Sequence, residues 1–370
     1  MHCRFENRLD QTALVLSDLQ HSLHAYHADE LPEIWERITH AQQQGYWVAL
    51  VLPYELGAHL LGLENATSSA RPILSAYVMK HAEHTTPWSA PEHAPTLKAK
   101  ALIPRHQYLE HIHHIQEGIK NGEYYQVNYS IPLTIQSEAA PETIYRALAA
   151  AHPVAYGAYL SDGDHHILSF SPELFVRKTG DHLLVKPMKG TTARHQDPIQ
   201  DQAAALALRQ SDKDAAENIM IVDLLRNDLG RIATTGSVHV SKLLEVEAYP
   251  SVWTMTSTIE AEAPNIRFAE LMTALFPCGS ITGTPKIAAM QCIHELEQRA
   301  RGIYCGSIGW LAPNGDLQLN VAIRTIEYTD PHTAQFGVGG AIVIDSDPAQ
   351  EWQECLWKAR VLGTEIEYEA

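Results

Sequence analysis

None of the five cysteines sits in a C-x-x-C pair; Cys3, Cys278, Cys292, Cys305 and Cys355 are scattered through apolar or Gly-rich surroundings. That spacing argues against a disulfide framework or a thiolate metal site, and fits free thiols in a reducing, cytoplasmic compartment. Long apolar runs are missing too. None approaches the roughly 20 residues that a bilayer-spanning helix requires, and Met1-His2-Cys3-Arg4-Phe5-Glu6 holds no apolar signal core. Basic charge is scarce, with 27 Lys and Arg against 44 Asp and Glu and a net charge of −17. No basic stretch is long enough to offer nucleic acid a landing surface. No internal repeat or low-complexity segment is visible. An acidic chain that handles an anionic small molecule must gather its few Lys, Arg and backbone N–H groups in one place.

What is present is an ordinary globular balance, 45% hydrophobic and 19% charged over 370 residues, enough for one large domain or two modest ones. The first hundred residues alternate helical and strand-like segments, with an apolar strand at 46–52. Residues 81–104, rich in His, Ala, Pro and Thr, suggest an extended connector. A soft boundary there separates an N-terminal subregion, 1–104, from a larger domain, 105–370. A helix is expected over 105–121, stopped by Gly122, and then a strand over 124–133. Strands at 155–160, 166–170, 174–177 and 182–186, separated by turns such as Ser161-Asp162-Gly163-Asp164, suggest antiparallel hairpins. Helices at 211–229, 266–275, 285–297 and 348–362 and strands at 238–247, 303–311, 317–327 and 335–343 follow. Hairpin groups with helices between them predict an α+β fold rather than a βαβ array. Histidine is abundant, with 21 in the chain. The spacing of His111, His113 and His114 on a helix suits a metal, but a solvated helix face is the preferred reading.

Lys189 stands in Lys186-Pro187-Met188-Lys189-Gly190-Thr191, directly after the strand-like Leu183-Leu184-Val185. An amine becomes a nucleophile when it is desolvated or set beside other charges, which lowers its pKa. A lysine at a strand end between Pro and Gly is placed for that. A solvated turn lysine is the plain alternative, and the surrounding motifs argue against it. On helix 211–229, Glu217 falls angularly between Ile221 and Leu224, within the apolar stripe, while Asp223 falls on the far side. A carboxylate there is costly unless paired or metal-bound; a core salt bridge is the alternative. On the last helix Glu351, Glu354 and Lys358 share one face, beside apolar Trp352, Leu356 and Ala359. Surface Glu–Lys pairing is common at such spacing. Two helices can equally bring carboxylates to one hard cation, and Mg²⁺ accepts one or two of them plus ligand oxygens and water.

Gly279-Ser280-Ile281-Thr282-Gly283-Thr284-Pro285-Lys286 precedes a helix, with Thr284 suited to the N-cap and Pro285 to the first helical position. Its N–H groups and hydroxyls make an anion cradle. It lacks the G-x-x-x-x-G-K-[ST] spacing of a nucleotide P-loop. Gly337-Val338-Gly339-Gly340, between strand-like segments, permits close backbone approach to a ligand. Arg324, expected on a strand between Ile323 and Thr325, offers a bidentate carboxylate contact or a cross-strand ion pair.

In this order the pieces resemble the chorismate-utilising enzymes, and within them the aminodeoxychorismate synthase component I branch. The resemblance runs from about residue 123 to 362. It rests on Tyr125-Gln126-Val127-Asn128, Ser171-Pro172-Glu173-Leu174-Phe175, the Lys189 run, the 216–231 segment, the 279–286 loop, Cys305-Gly306-Ser307-Ile308-Gly309 and Glu351-Trp352-Gln353-Glu354. It implies two large, mostly antiparallel β-sheets packed together with helices outside. It also implies Mg²⁺ held by Glu217, Glu351 and Glu354 against the ring carboxylate, with Lys358 alongside. Tyr304, Arg324, the loop of Gly279, Ser280 and Thr282, and the Gly339 and Gly340 amides would face the enolpyruvyl carboxylate; Gln126 and Thr191 complete the substrate site. Lys189 would attack C2 as the C4 hydroxyl leaves, protonated by Glu173. Ammonia would then add at C4 and expel the lysine, giving 4-amino-4-deoxychorismate for folate synthesis.

Two positions select among family members. Anthranilate synthases usually carry a small residue where Lys189 stands, and isochorismate and salicylate synthases a water-activating lysine where Gln126 stands. Thr254 stands where anthranilate synthases carry His. Anthranilate synthase component I is therefore the runner-up, and a non-catalytic chorismate-binding subunit a more distant one. No Gly-flanked nucleophilic Cys of a glutaminase is evident, since Cys278-Gly279 belongs to the cradle. Ammonia is expected from a separate glutamine amidotransferase subunit.

Overall fold

The computed structural model describes residues 1–63, 71–250, 252–330 and 333–369. Among them the strands join in one hydrogen-bonded network. Every pairing is antiparallel except that of Ile366–Glu367 with Lys98–Ala101. From one end the order runs His239–Ala248, Val252–Glu262, His182–Lys186, Leu174–Thr179, Leu317–Asn320, Ser307–Leu311, Trp47–Leu52 and Leu74–Thr85. It continues through Thr12–Ala25, His2–Asn7, Tyr156–Asp162, His165–Ser171, Thr325–Tyr328, Ala334–Ile342, Gln126–Gln136 and Lys98–Ala101. The order doubles back, because residues from both halves share one apolar core: Leu50, Val176 and Ile259 meet Ile131, Ile326 and Phe336 there. Helices Lys286–Glu297 and Pro348–Lys358 pack on strands Gln126–Gln136 and Ala334–Ile342.

The apolar run at 46–52 has a direct cause. Val48, Leu50 and Leu52 enter the main core, while Ala49 and Val51 enter a second cluster with Phe5, Tyr77 and Ile308. A strand covered on both faces loses the polar alternation of a half-solvated one. Strands that begin in the first hundred residues are hydrogen-bonded to later ones at four ladders, against Tyr156–Asp162, Ser307–Leu311, Gln126–Gln136 and Ile366–Glu367.

Several local expectations change. The supposed connector is partly strand: 81–85 finishes Leu74–Thr85, and Lys98–Ala101 is a strand of its own. Helices Pro141–Ala151 and Pro198–Arg209 and the long strand Val252–Glu262 were not foreseen. The strand escapes notice because its buried residues include Thr254, Thr256, Ser257 and Thr258, so burial there does not look apolar. Pro285, not Thr284, is the N-cap of helix Lys286–Glu297, and Thr284 pairs with Gln126 in a short strand. Arg324 lies on no strand. It occupies a bend with φ +51°, one residue before Thr325–Tyr328.

Candidate active site

Residues from both halves of the strand order line a cavity of about 440 Å³. Lys189 reaches it from Met188–Ala193, a strand laid along Val252–Glu262, and so sits within a strand rather than at a strand's end. The register slips between Met188 and Thr191, where Gly190 adopts φ +80°. A bulge of this kind re-aims the side chain beside it. Thr254 donates to the Gly190 carbonyl at 3.1 Å and fixes the irregularity.

The Lys189 amine makes no hydrogen bond or ion pair among the described residues. Burial, opposed by the charge of Glu217 and aided by that of Lys358, holds its pKa below the ordinary lysine value. Glu173, almost fully buried, lines the same cavity, and burial pushes its carboxyl up to about 7. Near neutrality such a group is both a proton donor and a proton acceptor.

Thr191, Glu217, Ser280, Tyr304, Arg324 and Gly339 also line the cavity. Glu351, Glu354 and Lys358 line it from helix Pro348–Lys358. Gly340 lies beneath them: a Cβ there would stand 3.3 Å from Glu351 and 3.5 Å from the Lys358 amine. Burial raises the pKa of Glu217 and Glu351, and the Glu354 charge adds to both. Glu354 is instead lowered by Lys358, which donates to it at 2.7 Å and to the Gly339 carbonyl at 2.8 Å. Among the described residues no three His, Cys, Asp or Glu side chains already converge on one point. Glu351 accepts from Ser346 at 2.7 Å, and Glu217 stands 4.0 Å from Lys213. The Arg324 guanidinium, half-buried at the wall, has no hydrogen-bond or ion-pair partner among the described residues.

Four expected residues are not in the cavity wall. Gln126 is completely buried, on the same strand face as the cavity-lining Asn128, and neither atom of its amide finds a partner. The Thr282 hydroxyl closes its own turn on the Cys278 carbonyl at 3.1 Å, and Gly279 packs against Leu224. Gly340 contributes the space just described. Gly337 does line the cavity, and its missing side chain also admits the Tyr304 ring, which a Cβ would approach to 2.2 Å. Lys213, Asp214 and Trp357 line the cavity without having been singled out in the sequence. No pattern marks them, because each faces the cavity only through the placement of its helix. His111 bonds the Tyr129 hydroxyl at 2.5 Å and is half-buried, unlike the solvated face expected of it.

A cavity lined by the Lys189 amine, the Arg324 guanidinium and five carboxylates, walled by the motifs singled out in the sequence, matches one family in comparison. The family model of chorismate binding enzymes covers residues 61–363. This chain belongs to the chorismate binding enzyme family. An aminodeoxychorismate synthase from Streptomyces pristinaespiralis is 39% identical over 323 residues, 84% of this chain and 45% of that protein. Aminodeoxychorismate synthase component 1 from Klebsiella aerogenes is 39% identical over 269 residues, 72% of this chain and 59% of that protein. The chain thus spans about half the length of these two relatives. Anthranilate synthase component I from Streptococcus pneumoniae, a solved structure, superposes with a TM-score of 0.85 at 24% identity, covering 96% of this chain and 92% of that one. The last comparison speaks for the α+β fold alone.

Proposed function

We propose that this member of the chorismate binding family is an aminodeoxychorismate synthase component I, turning chorismate and ammonia into 4-amino-4-deoxychorismate. The observation that carries the reading is the unpaired Lys189 amine, standing in one cavity with the acid Glu173 and the glutamates of two helices. Chorismate is a dicarboxylate. Arg324, Tyr304 and the backbone of Ser280 and Ile281 receive one carboxylate, and Lys358 stands by for the other.

Lys189, its pKa held below the ordinary lysine value by burial, attacks C2 of the ring; both ring double bonds move over by one position, and the C4–O bond breaks. Glu173 gives its proton to the departing hydroxyl, which leaves as water. The lysine step divides one difficult substitution into two easier ones. Ammonia then adds at C4, both double bonds shift back, and Lys189 departs as the amine. Glu217, Glu351 and Glu354 are the residues that would hold Mg²⁺. Burial and the nearby Glu354 charge raise the proton affinity of Glu217 and Glu351, and such crowded carboxylates fit a divalent cation. When bound, Mg²⁺ neutralises and orients an anionic ring substituent. Ammonia is supplied by a glutamine amidotransferase partner, and the expected setting is the cytoplasm.

The test is mass spectrometry of products from chorismate, ammonium and the purified chain, with and without Mg²⁺. 4-Amino-4-deoxychorismate is expected. Anthranilate with pyruvate would instead move the chain to the anthranilate synthases.

A further inference from the structure

Ser280 is almost fully buried, in the single-turn helix Gly279–Ile281. The sequence places its hydroxyl in the anion cradle, yet that hydroxyl points elsewhere. It donates to Glu173 Oε1 at 2.7 Å. A serine has one proton to give. With that proton committed to a carboxyl oxygen, the serine oxygen is left as an acceptor, and the Cys278 sulfur lies 3.3 Å from it. Cys278 is buried, and burial first, then the Glu173 charge, push its thiol up to about 12. It therefore remains an S–H donor across the working range. The hydrogen bonds run one way, from thiol to hydroxyl to carboxyl, and this occupies a buried cysteine for which the reaction has no use.

The other groups facing Glu173 are Lys189 from the bulged strand, Arg324 from its bend, Tyr249 beyond strand His239–Ala248, and the Met188 N–H. Lys189 and Arg324 are engaged by substrate in the reaction above. During turnover their charges no longer serve Glu173. Ser280 and the Met188 amide are the neutral donors that stay with it.

We propose that Ser280 is a positioning residue for the acid: its hydroxyl, held in one rotamer by Cys278, fixes the Glu173 carboxyl and stabilises the carboxylate left after proton transfer. The catalytic consequence rests on the reading of Glu173 as the acid, but the hydrogen bond itself does not. The test is a carboxyl titration of the full chain by infrared difference spectroscopy, without substrate, using Glu173→Gln to assign the signal. The pH profile of kcat/KM with chorismate and ammonium is recorded alongside.

Ser280→Ala is expected to raise the Glu173 midpoint by about one pH unit, since a hydrogen bond to a charged group is lost. The basic limb of activity should move with it, while Ser280→Thr, which keeps a hydroxyl, returns both to the wild-type position. Cys278→Ala should move the midpoint in the same direction by less. If the alanine variant fails to fold, Ser280→Cys, with a weaker donor of similar size, carries the same test. An unmoved midpoint in a folded variant overturns the inference. A midpoint that moves while the activity limb stays fixed supports Ser280's hold on Glu173 and removes Glu173 from the role of acid.

Discussion

Arg324→Met separates a ligand-binding cation from a structural one. The guanidinium opens on the cavity from a left-handed bend, φ +51°, and has no hydrogen bond or ion pair among the described residues. Glu173 is the charge it senses, and burial is what opposes its ionised form. Methionine keeps an unbranched apolar stem without the charge and bears the same backbone cost. Two effects of opposite sign follow. The free protein no longer holds a half-desolvated, unpaired cation, a gain of about 1 kcal/mol. Spread over an unfolding entropy of about 2 cal/mol/K per residue, that is only about 1 °C in Tm, so the urea midpoint is the better measure. A chorismate carboxylate, by contrast, loses a buried charged partner. That costs about 3 kcal/mol, or roughly 150-fold in Kd. Calorimetry with chorismate in a Lys189→Ala background measures binding without turnover. A Kd within threefold of the parent, or a lower urea midpoint, would refute the reasoning, because either result makes Arg324 part of the scaffold.

Lys189→Ala should abolish product formation while chorismate Kd changes by no more than a few-fold; equal loss of both would make the lysine a binding residue. Activity should fall above pH 7, because Glu173 must be protonated to act and its carboxyl sits at about 7; Glu173→Gln should remove most of the rate at every pH. Gly337→Ala drives a methyl into the Tyr304 ring, which a Cβ would meet at 2.2 Å; a loss of about 1–3 kcal/mol by denaturant melting, with weaker chorismate binding, is expected. Glu55, buried behind the cradle and accepting from the Arg301 N–H, is raised from 4.5 to about 7 by burial. The folded state therefore binds the proton more tightly than the unfolded one, and stability falls as pH rises from 4.5 through 7, by up to about 3 kcal/mol. Glu55→Gln should flatten that slope in melts recorded between pH 5 and 8.

Particular residues show how far the sequence could be read. Glu217, Glu351, Glu354 and Lys358 were recognisable because helical periodicity is local: spacing alone assigns a face. Lys189 stood out as a residue type in unusual company, whereas Glu173 was marked only by the family resemblance. What stayed hidden depended on contacts distant in the chain. Strand Val252–Glu262 was missed because its hydroxyls are buried by neighbours the sequence does not place beside it. Arg324 reads as a strand residue in the sequence, because a left-handed bend leaves no mark there when the residue is not glycine. Gly337 makes room for Tyr304 as well as lining the cavity, and the Ser280 hydroxyl serves Glu173 rather than an anion.

The order of motifs along the chain, the α+β class and the identities of the reactive groups follow from the sequence alone, since periodicity and side-chain chemistry are carried by short segments. Tertiary structure decided which of those groups share a cavity, which way each hydroxyl points and which charges remain unpaired. Those outcomes depend on burial and on partners more than a hundred residues apart, such as Glu173 and Ser280, and no local pattern encodes them.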